Sequence, residues 1–275
     1  MNQNLFGYDR QNTWIHRLSG SSKLFFFLLV SIIAMMSYDT RFITLVLVLS
    51  LVLLQQSHIK WHQVRLVVKL IVVFSLLNLI MIYVFSPENG VAIYGTKHII
   101  FGHGFYALTQ EQLFYEFNLA LKYFVTVPLA LIFLITTNPS EFAASLNRLG
   151  VSYRISYSVS LALRYIPDVQ NDYQEISMAQ QARGYELSKK GKLSQRLKGA
   201  VQIIMPLIFT SIAKIDTISQ AMELRRFGRN RKRSWYMQRP TTLNDWLVWL
   251  STIIIVIIGI LFFMLDGGRF YNPFK

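Results

Sequence analysis

The sequence has no cysteine, which excludes disulfides, thiolate metal sites and cysteine nucleophiles. Histidine is scarce. The five are His16, His58, His62, His98 and His103, and none joins a carboxylate in a metal-ligand spacing such as His-Glu-x-x-His. By spacing His58 and His62 could share a helix face, but they flank Lys60 and Trp61 at the edge of an apolar run. Amphipathic side chains gather at such edges, so an interfacial role suits the pair better than ligation. Acidic residues number 14 against 28 lysines and arginines. Paired carboxylates, a histidine–carboxylate cluster and a nucleophile with its base are all missing, which argues against a membrane enzyme. A phosphate loop is missing too. Gly184 and Gly191-Lys192 are separated by six residues and followed by Leu193, where four residues and then Ser or Thr are needed. No metal or cofactor site is expected in this chain.

What the sequence has instead is long hydrophobic runs. The net charge of +14 would suggest nucleic acid for a soluble chain, but these runs are too long for that reading. Apolar stretches cover residues 21–38, 41–57, 66–85, 117–136 and 246–265. A helix that crosses the hydrocarbon needs about 20 mostly apolar residues, with a lower limit near 17. The last three meet this requirement. The first two meet it only with little tilt, so two spans and a re-entrant hairpin both remain open. Either returns the chain to its starting side.

Lysine and arginine placement sets the expected orientation. Arg10, Arg17 and Lys23 precede the first run, and Lys60, Arg65 and Lys69 surround the start of the third. Residues 138–245 carry seventeen lysines and arginines against eight acids. The other side has Arg41, Lys97, Arg269 and Lys275, with Lys122 near that edge. The N-terminus is therefore expected in the cytoplasm and the C-terminus outside, with no signal peptide, since the run at Leu24 ends in Met35-Met36-Ser37-Tyr38. Lys69 and Lys122, each about a turn inside a run, are expected to extend their heads to the interface. Asn78 is the one mid-span polar candidate for a substrate path, so an ordinary permease is the weaker alternative.

The expected organisation is a membrane part at 1–137, a cytoplasmic part at 138–245 and a final crossing with its tail at 246–275. The fold is an all-α polytopic membrane protein with about five transmembrane helices and long amphipathic cytoplasmic helices. Asn138-Pro139-Ser140-Glu141 breaks the fourth run. Ala162, Ile166, Val169, Tyr173 and Ile176 then recur at spacings of four and three, one stripe of a helix that Pro167 should bend or restart and Gly184 should end. A second helix over 195–224 carries Ile212, Ile215, Ile218 and Met222 on one face. It ends near Arg225-Arg226-Phe227-Gly228, ahead of the charge block 229–233.

Ala182-Arg183-Gly184 and Leu224-Arg225-Arg226 thus stand at the ends of two striped helices. A cation in a last turn offsets the helix dipole by about 0.3 to 1 kcal/mol, and the block at 229–233 suits anionic lipid headgroups. The stripes point further, because an exposed apolar stripe is usually half of an interface. The arginines would then enter an acidic groove with two-pronged hydrogen bonds.

The motifs in order resemble the transmembrane T component of the energy-coupling factor transporters. Trp14-Ile15-His16-Arg17-Leu18-Ser19-Gly20-Ser21-Ser22-Lys23-Leu24 is similar to that family's entry sequence, with Ser19-Gly20-Ser21 where Asp-Pro-Arg is usual. Thr136-Thr137-Asn138-Pro139, Arg148-Leu149-Gly150-Val151 and Leu161-Ala162-Leu163-Arg164-Tyr165-Ile166-Pro167 follow. Ala179-Gln180-Gln181-Ala182-Arg183-Gly184 and Ala221-Met222-Glu223-Leu224-Arg225-Arg226-Phe227-Gly228 resemble the two coupling motifs. The resemblance implies a non-catalytic plasma-membrane subunit for vitamin or metal uptake. It would join two cytosolic ATPase domains, which hold the ATP and Mg, to a small substrate-binding membrane S component. It also implies that Ala182, Arg183 and Gly184, with Leu224, Arg225 and Arg226, enter the ATPase grooves. Leu-Arg-Arg stands where Ala-Arg-Gly is usual. Unequal motifs suggest that the two ATPase domains are non-identical.

Overall fold

The computed structural model describes residues 13–59, 61–102, 104, 106–185, 193–227, 234–236 and 239–274. The charge block 229–233, Gly228 and Arg10 lie outside them. The chain forms two compact units, residues 1–141 with 239–275 and residues 142–238.

The first unit is a helical bundle. It comprises α1 (Trp14–Arg17), α2 (Gly20–Met36), α3 (Thr40–Gln56), α4 (Trp61–Phe85), α5 (Asn89–Tyr94), α6 (Gln110–Thr136) and α10 (Leu243–Leu265). A two-stranded antiparallel ribbon, β1 (Ile99–Phe101) and β2 (Leu108–Thr109), joins α5 to α6. Each expected apolar run is a helix, and α6 packs against α2, α3, α4 and α5. Val30, Ala34, Phe42, Ile43, Val46, Val125, Leu129 and Ile255 form the buried core between α2, α3, α6 and α10. Among the described residues four helical stretches are long and apolar enough to cross a membrane: Val64–Phe85, Gln110–Thr136, Leu197–Leu224 and Leu243–Leu265. At 17 residues each, α2 and α3 sit at the lower limit.

The helix starts follow ordinary capping chemistry. The Ser19 hydroxyl accepts from Ser22 N at 3.4 Å, so serine fills the N-cap position where the resembled family has aspartate. The Thr109 hydroxyl accepts from Gln112 N at 3.3 Å to start α6. Asp245 accepts from Thr242 N at 2.8 Å, one half of a capping box at the head of α10.

Lys122 departs from expectation. Its ammonium is buried and donates to the Met35 carbonyl at 2.8 Å, over the Tyr38 ring at 3.0 Å from the centroid. At the other end of the pair, Lys23 donates to the Thr136 carbonyl at 2.7 Å. Helices α2 and α6 are therefore antiparallel, and each supplies the lysine that satisfies last-turn carbonyls of the other. An ammonium at a helix C-terminus meets both free acceptors and the negative dipole end, so Lys122 has no need to reach the interface. Lys69 is exposed.

Close helix approach depends on Gly259. A Cβ there would lie 2.8 Å from Ile33 Cγ1 and 3.0 Å from Phe42 Cζ. Gly259→Val should cost about 1 to 3 kcal/mol by overpacking. A lower midpoint for thermal unfolding in detergent, with unchanged membrane insertion, is the expected result.

The second unit centres on α8 (Tyr153–Ala182) and α9 (Leu193–Leu224), with the end of α7 (Pro139–Arg148) leading into it. Asn138 Oδ1 accepts from Ser140 N at 3.0 Å, so Asn138 caps a helix that begins with proline, as expected after the break at α6. Pro167 does not restart α8, which runs unbroken through it, as α9 runs through Pro206. Each proline removes one backbone bond, and the packing of the two long helices on each other holds the rest.

Candidate functional site

Three contacts fix the geometry of α8 and α9. Gln180 Nε2 donates to the Gln202 carbonyl at 3.3 Å, Asp172 pairs with Lys214 at 2.5 Å, and the Tyr157 and Phe227 rings lie 4.5 Å apart. As position rises along one helix it falls along the other, so the pair is antiparallel. Arg183 and Arg225, each at the C-terminal end of its helix, therefore stand at opposite ends of the pair. With Phe227 level with Tyr157, the two tips are roughly 40 Å apart at 1.5 Å rise per residue.

The stripes read from the sequence meet only in part. Ala162 and Val169 of α8 and Ile215, Ile218 and Met222 of α9 line one cleft of about 380 Å³, with Asp172 and Lys214 on its walls. Val169, Tyr173, Ile212 and Ile215 all stay exposed.

Both helices end in the same way. In α8, Arg183 is the C-cap, Gly184 takes a left-handed φ of 87°, Gly184 N donates to Gln181 O at 2.9 Å and Tyr185 N to Gln180 O at 3.2 Å. In α9, Arg226 takes a left-handed φ of 54°, Arg226 N donates to Glu223 O at 2.8 Å and Phe227 N to Met222 O at 2.9 Å. These are two Schellman closures with Arg183 and Arg225 in the same place. Within the expected end near residues 225–228 the stop falls at Arg226, which is not a glycine. A side chain in that conformation costs about 1 to 2 kcal/mol, which glycine would avoid. Ala182, Arg183, Gly184, Leu224, Arg225 and Arg226 are all exposed, Leu224 to 85 %.

The second tip is braced in a way the sequence did not announce. Tyr153, Tyr157, Phe227 and Trp235 stack in one cluster, with Tyr153 and Trp235 rings 5.4 Å apart and Trp235 Nε1 donating to Asn147 at 3.1 Å. Phe227, the residue after the left-handed position, was the available signal, because an apolar contact there commonly accompanies this closure.

Two other candidates resolve simply. Asn78 accepts a hydrogen bond from the Tyr123 hydroxyl at 3.0 Å, tying α4 to α6 rather than standing open to a substrate. His58 does not share a helix face with His62. It lies beyond the end of α3 with a φ of 51°, while His62 belongs to α4, because the chain turns at Ser57.

Within the first unit lies a set of charged contacts that sequence spacing missed. Arg239 forms an ion pair with Glu141 and donates to the His16 carbonyl at 2.7 Å. Asp245 accepts from Ser19 N at 2.8 Å. Burial holds the Glu141 carboxyl above the usual carboxylate range, against the pull of the Arg239 and Lys23 charges.

A family model described as cobalt transport protein, CbiQ, matches residues 11–235, most of the chain and both arginine tips. The chain belongs to this family. Within the cobalt transport protein family its relatives include the energy-coupling factor transporter transmembrane protein EcfT of Staphylococcus aureus, 24% identical over 92% of this chain and 93% of that one. The EcfT of Streptococcus equi is 27% identical over 94% and 95%, and that of Lactococcus lactis 28% over 90% and 92%. A putative ABC transporter ATP-binding protein of Bifidobacterium longum is 30% identical over 150 residues, which are 52% of this chain and 19% of that protein. Family and apolar helices together make the chain a multi-pass membrane protein of the energy-coupling factor T-component type.

Proposed function

We propose that this chain couples two cytosolic ATPase domains to a small substrate-capturing membrane protein, for ATP-driven uptake of a vitamin or metal ion. The observation that carries the proposal is the antiparallel α8–α9 pair, with an exposed arginine C-cap at each end. Two matching tips roughly 40 Å apart suit two separate grooves better than one. The chemistry fits as well, because an exposed arginine at a helix end can present its planar fork to an acidic pocket. The likeness to part of a protein named as ATP-binding supports an ATPase as the partner.

The same pair argues for its own placement outside the hydrocarbon. Arg154, Arg164, Asp168, Asp172 and Glu175 stud α8, which is too polar to cross. Helix α9 lies along α8 from Gln202 to Phe227, so it shares that location although its composition alone would permit a crossing. With the second unit cytoplasmic, the lysine and arginine asymmetry puts the N-terminus inside and the C-terminus outside. Reporter fusions at Lys275 should be active only outside the cell, and cytoplasmic activity there would overturn this topology.

Purification in mild detergent followed by mass spectrometry tests the whole reading. Two nucleotide-binding domains and one small hydrophobic protein should accompany the chain. Isolation of the chain alone, competent for uptake in vesicles, would refute it. The unequal tips add a finer expectation. Leu224 and Arg226 make the α9 tip broader and more positive than Ala182 and Gly184 make the other. The ATPase domains should therefore be non-identical, with the wider and more acidic groove receiving Arg225. An active complex with two copies of one unfused ATPase would contradict this.

A further inference from the structure

The chain passes between its two compact units twice, once after Glu141 within α7 and again before Arg239. These two boundary residues are bonded to each other through the Arg239–Glu141 ion pair. The same guanidinium donates to the His16 carbonyl at 2.7 Å, which brings in the N-terminal entry. From that entry Lys23 reaches the last carbonyl of α6, Thr136, at 2.7 Å, and Ser19 N reaches Asp245 in the first turn of α10 at 2.8 Å. Polar contacts thus gather the ends of α1, α2, α6, α7 and α10 at the place where the chain changes units.

His16, Ser19, Lys23, Glu141 and Asp245 are all buried. Burying so many polar and charged groups is costly, and apolar side chains of the same volume would hold a bundle at least as well. Stability alone is thus a weak account of these contacts. An ion pair between the outgoing and the returning chain prevents either from shifting alone.

We propose that Glu141 and Arg239 are positioning residues for coupling, locking both chain crossings to each other and to the N-terminal entry. Displacement of the arginine-tipped pair then reaches α2, α6 and α10 together. This rests on the coupling role proposed above. Lys23 and Asp245 carry the same displacement onward, and Glu141 and Arg239 form its root.

The test uses the full complex in membrane vesicles, with uptake of whichever of radiolabelled cobalt(II), riboflavin, folate or biotin the wild-type complex accumulates. Three quantities are read: ATPase yield on purification, ATP hydrolysis, and uptake per ATP hydrolysed. The double variant Glu141→Leu/Arg239→Met removes both charges of the ion pair together. It should assemble and hydrolyse ATP as the wild type does, with uptake per ATP lower by about tenfold or more, a coupling loss of ordinary size. The exchanged pair Glu141→Arg/Arg239→Glu should recover most of that loss. Wild-type uptake per ATP in the apolar double variant overturns the proposal. So does a loss confined to assembly, with normal uptake per assembled complex, because the pair would then be only a scaffold. A wild-type complex without any ATPase would instead sink the coupling role itself, so the two failures are distinguishable.

Discussion

Reversing both tip arginines, Arg183→Glu with Arg225→Glu, should abolish ATP-driven uptake while the chain still inserts in the membrane. Each guanidinium sits at a helix C-cap in an exposed position, so its removal disturbs little within the fold. The helix dipole gives up only about 0.3 to 1 kcal/mol. Removing one partner of a buried, hydrogen-bonded charge pair at an interface costs about 2 to 5 kcal/mol. At about 1.4 kcal/mol per factor of ten, each single reversal should weaken ATPase association roughly thirtyfold or more. The double reversal should leave no complex to purify. Far-ultraviolet circular dichroism and membrane yield report on the fold, and copurified ATPase reports on the interface. If the doubly reversed chain assembles and transports normally, the arginines serve only as helix caps.

Trimming the second tip should move two measurements apart. In Leu224→Ala/Arg226→Gly the glycine relieves a left-handed backbone that costs an arginine about 1 to 2 kcal/mol, partly offset by its greater freedom in the unfolded chain. Leu224 is 85 % exposed, so its truncation takes little from the fold. The chain itself should be as stable as before or slightly more so. Assembly should fall, because a leucine buried in a partner groove contributes about 1.5 to 3 kcal/mol, or roughly ten- to a hundredfold in affinity. Thermal unfolding of the chain alone and titration with the ATPase pair read the two effects separately. Tighter assembly by the trimmed tip would mean that its groove is the narrow kind, and that the second tip is an imperfect copy of the first.

Local pattern carried most of the architecture. Length and hydropathy marked α2, α3, α4, α6 and α10, and the three-and-four spacing marked α8 and α9, because both signals arise within one helix. The tips were legible for the same reason, since a closure depends on five or six consecutive residues. Even so, the sequence placed the end of α9 only near residues 225–228. Propensity favours glycine at a left-handed position, and only the bonds from Arg226 and Phe227 show where the helix closes. Contacts across the chain were invisible. Lys122 read as a side chain reaching for the interface because its acceptor, Met35, lies far back in the sequence. Glu141 and Arg239 are separated by the whole second unit, and no spacing rule joins them. The stripes of α8 and α9 raised the opposite difficulty. Periodicity showed that each needed a partner, and the other helix covers only part of each stripe.

The paired lysines of α2 and α6 have a consequence for how the protein is made. During synthesis α2 enters the bilayer long before α6 exists, with its closing carbonyls unanswered and Lys23 without the Thr136 carbonyl it will hold. Lys122 then arrives within an apolar stretch, where a lone ammonium is poorly tolerated in hydrocarbon. Neither helix is a finished membrane segment without the other. The bundle becomes a settled object only when the sixth helix has docked beside the second, and until then the nascent chain is exposed to quality-control proteases. Chain fragments that end before residue 136 should for that reason be short-lived in the cell, whatever the hydrophobicity of the helices they contain.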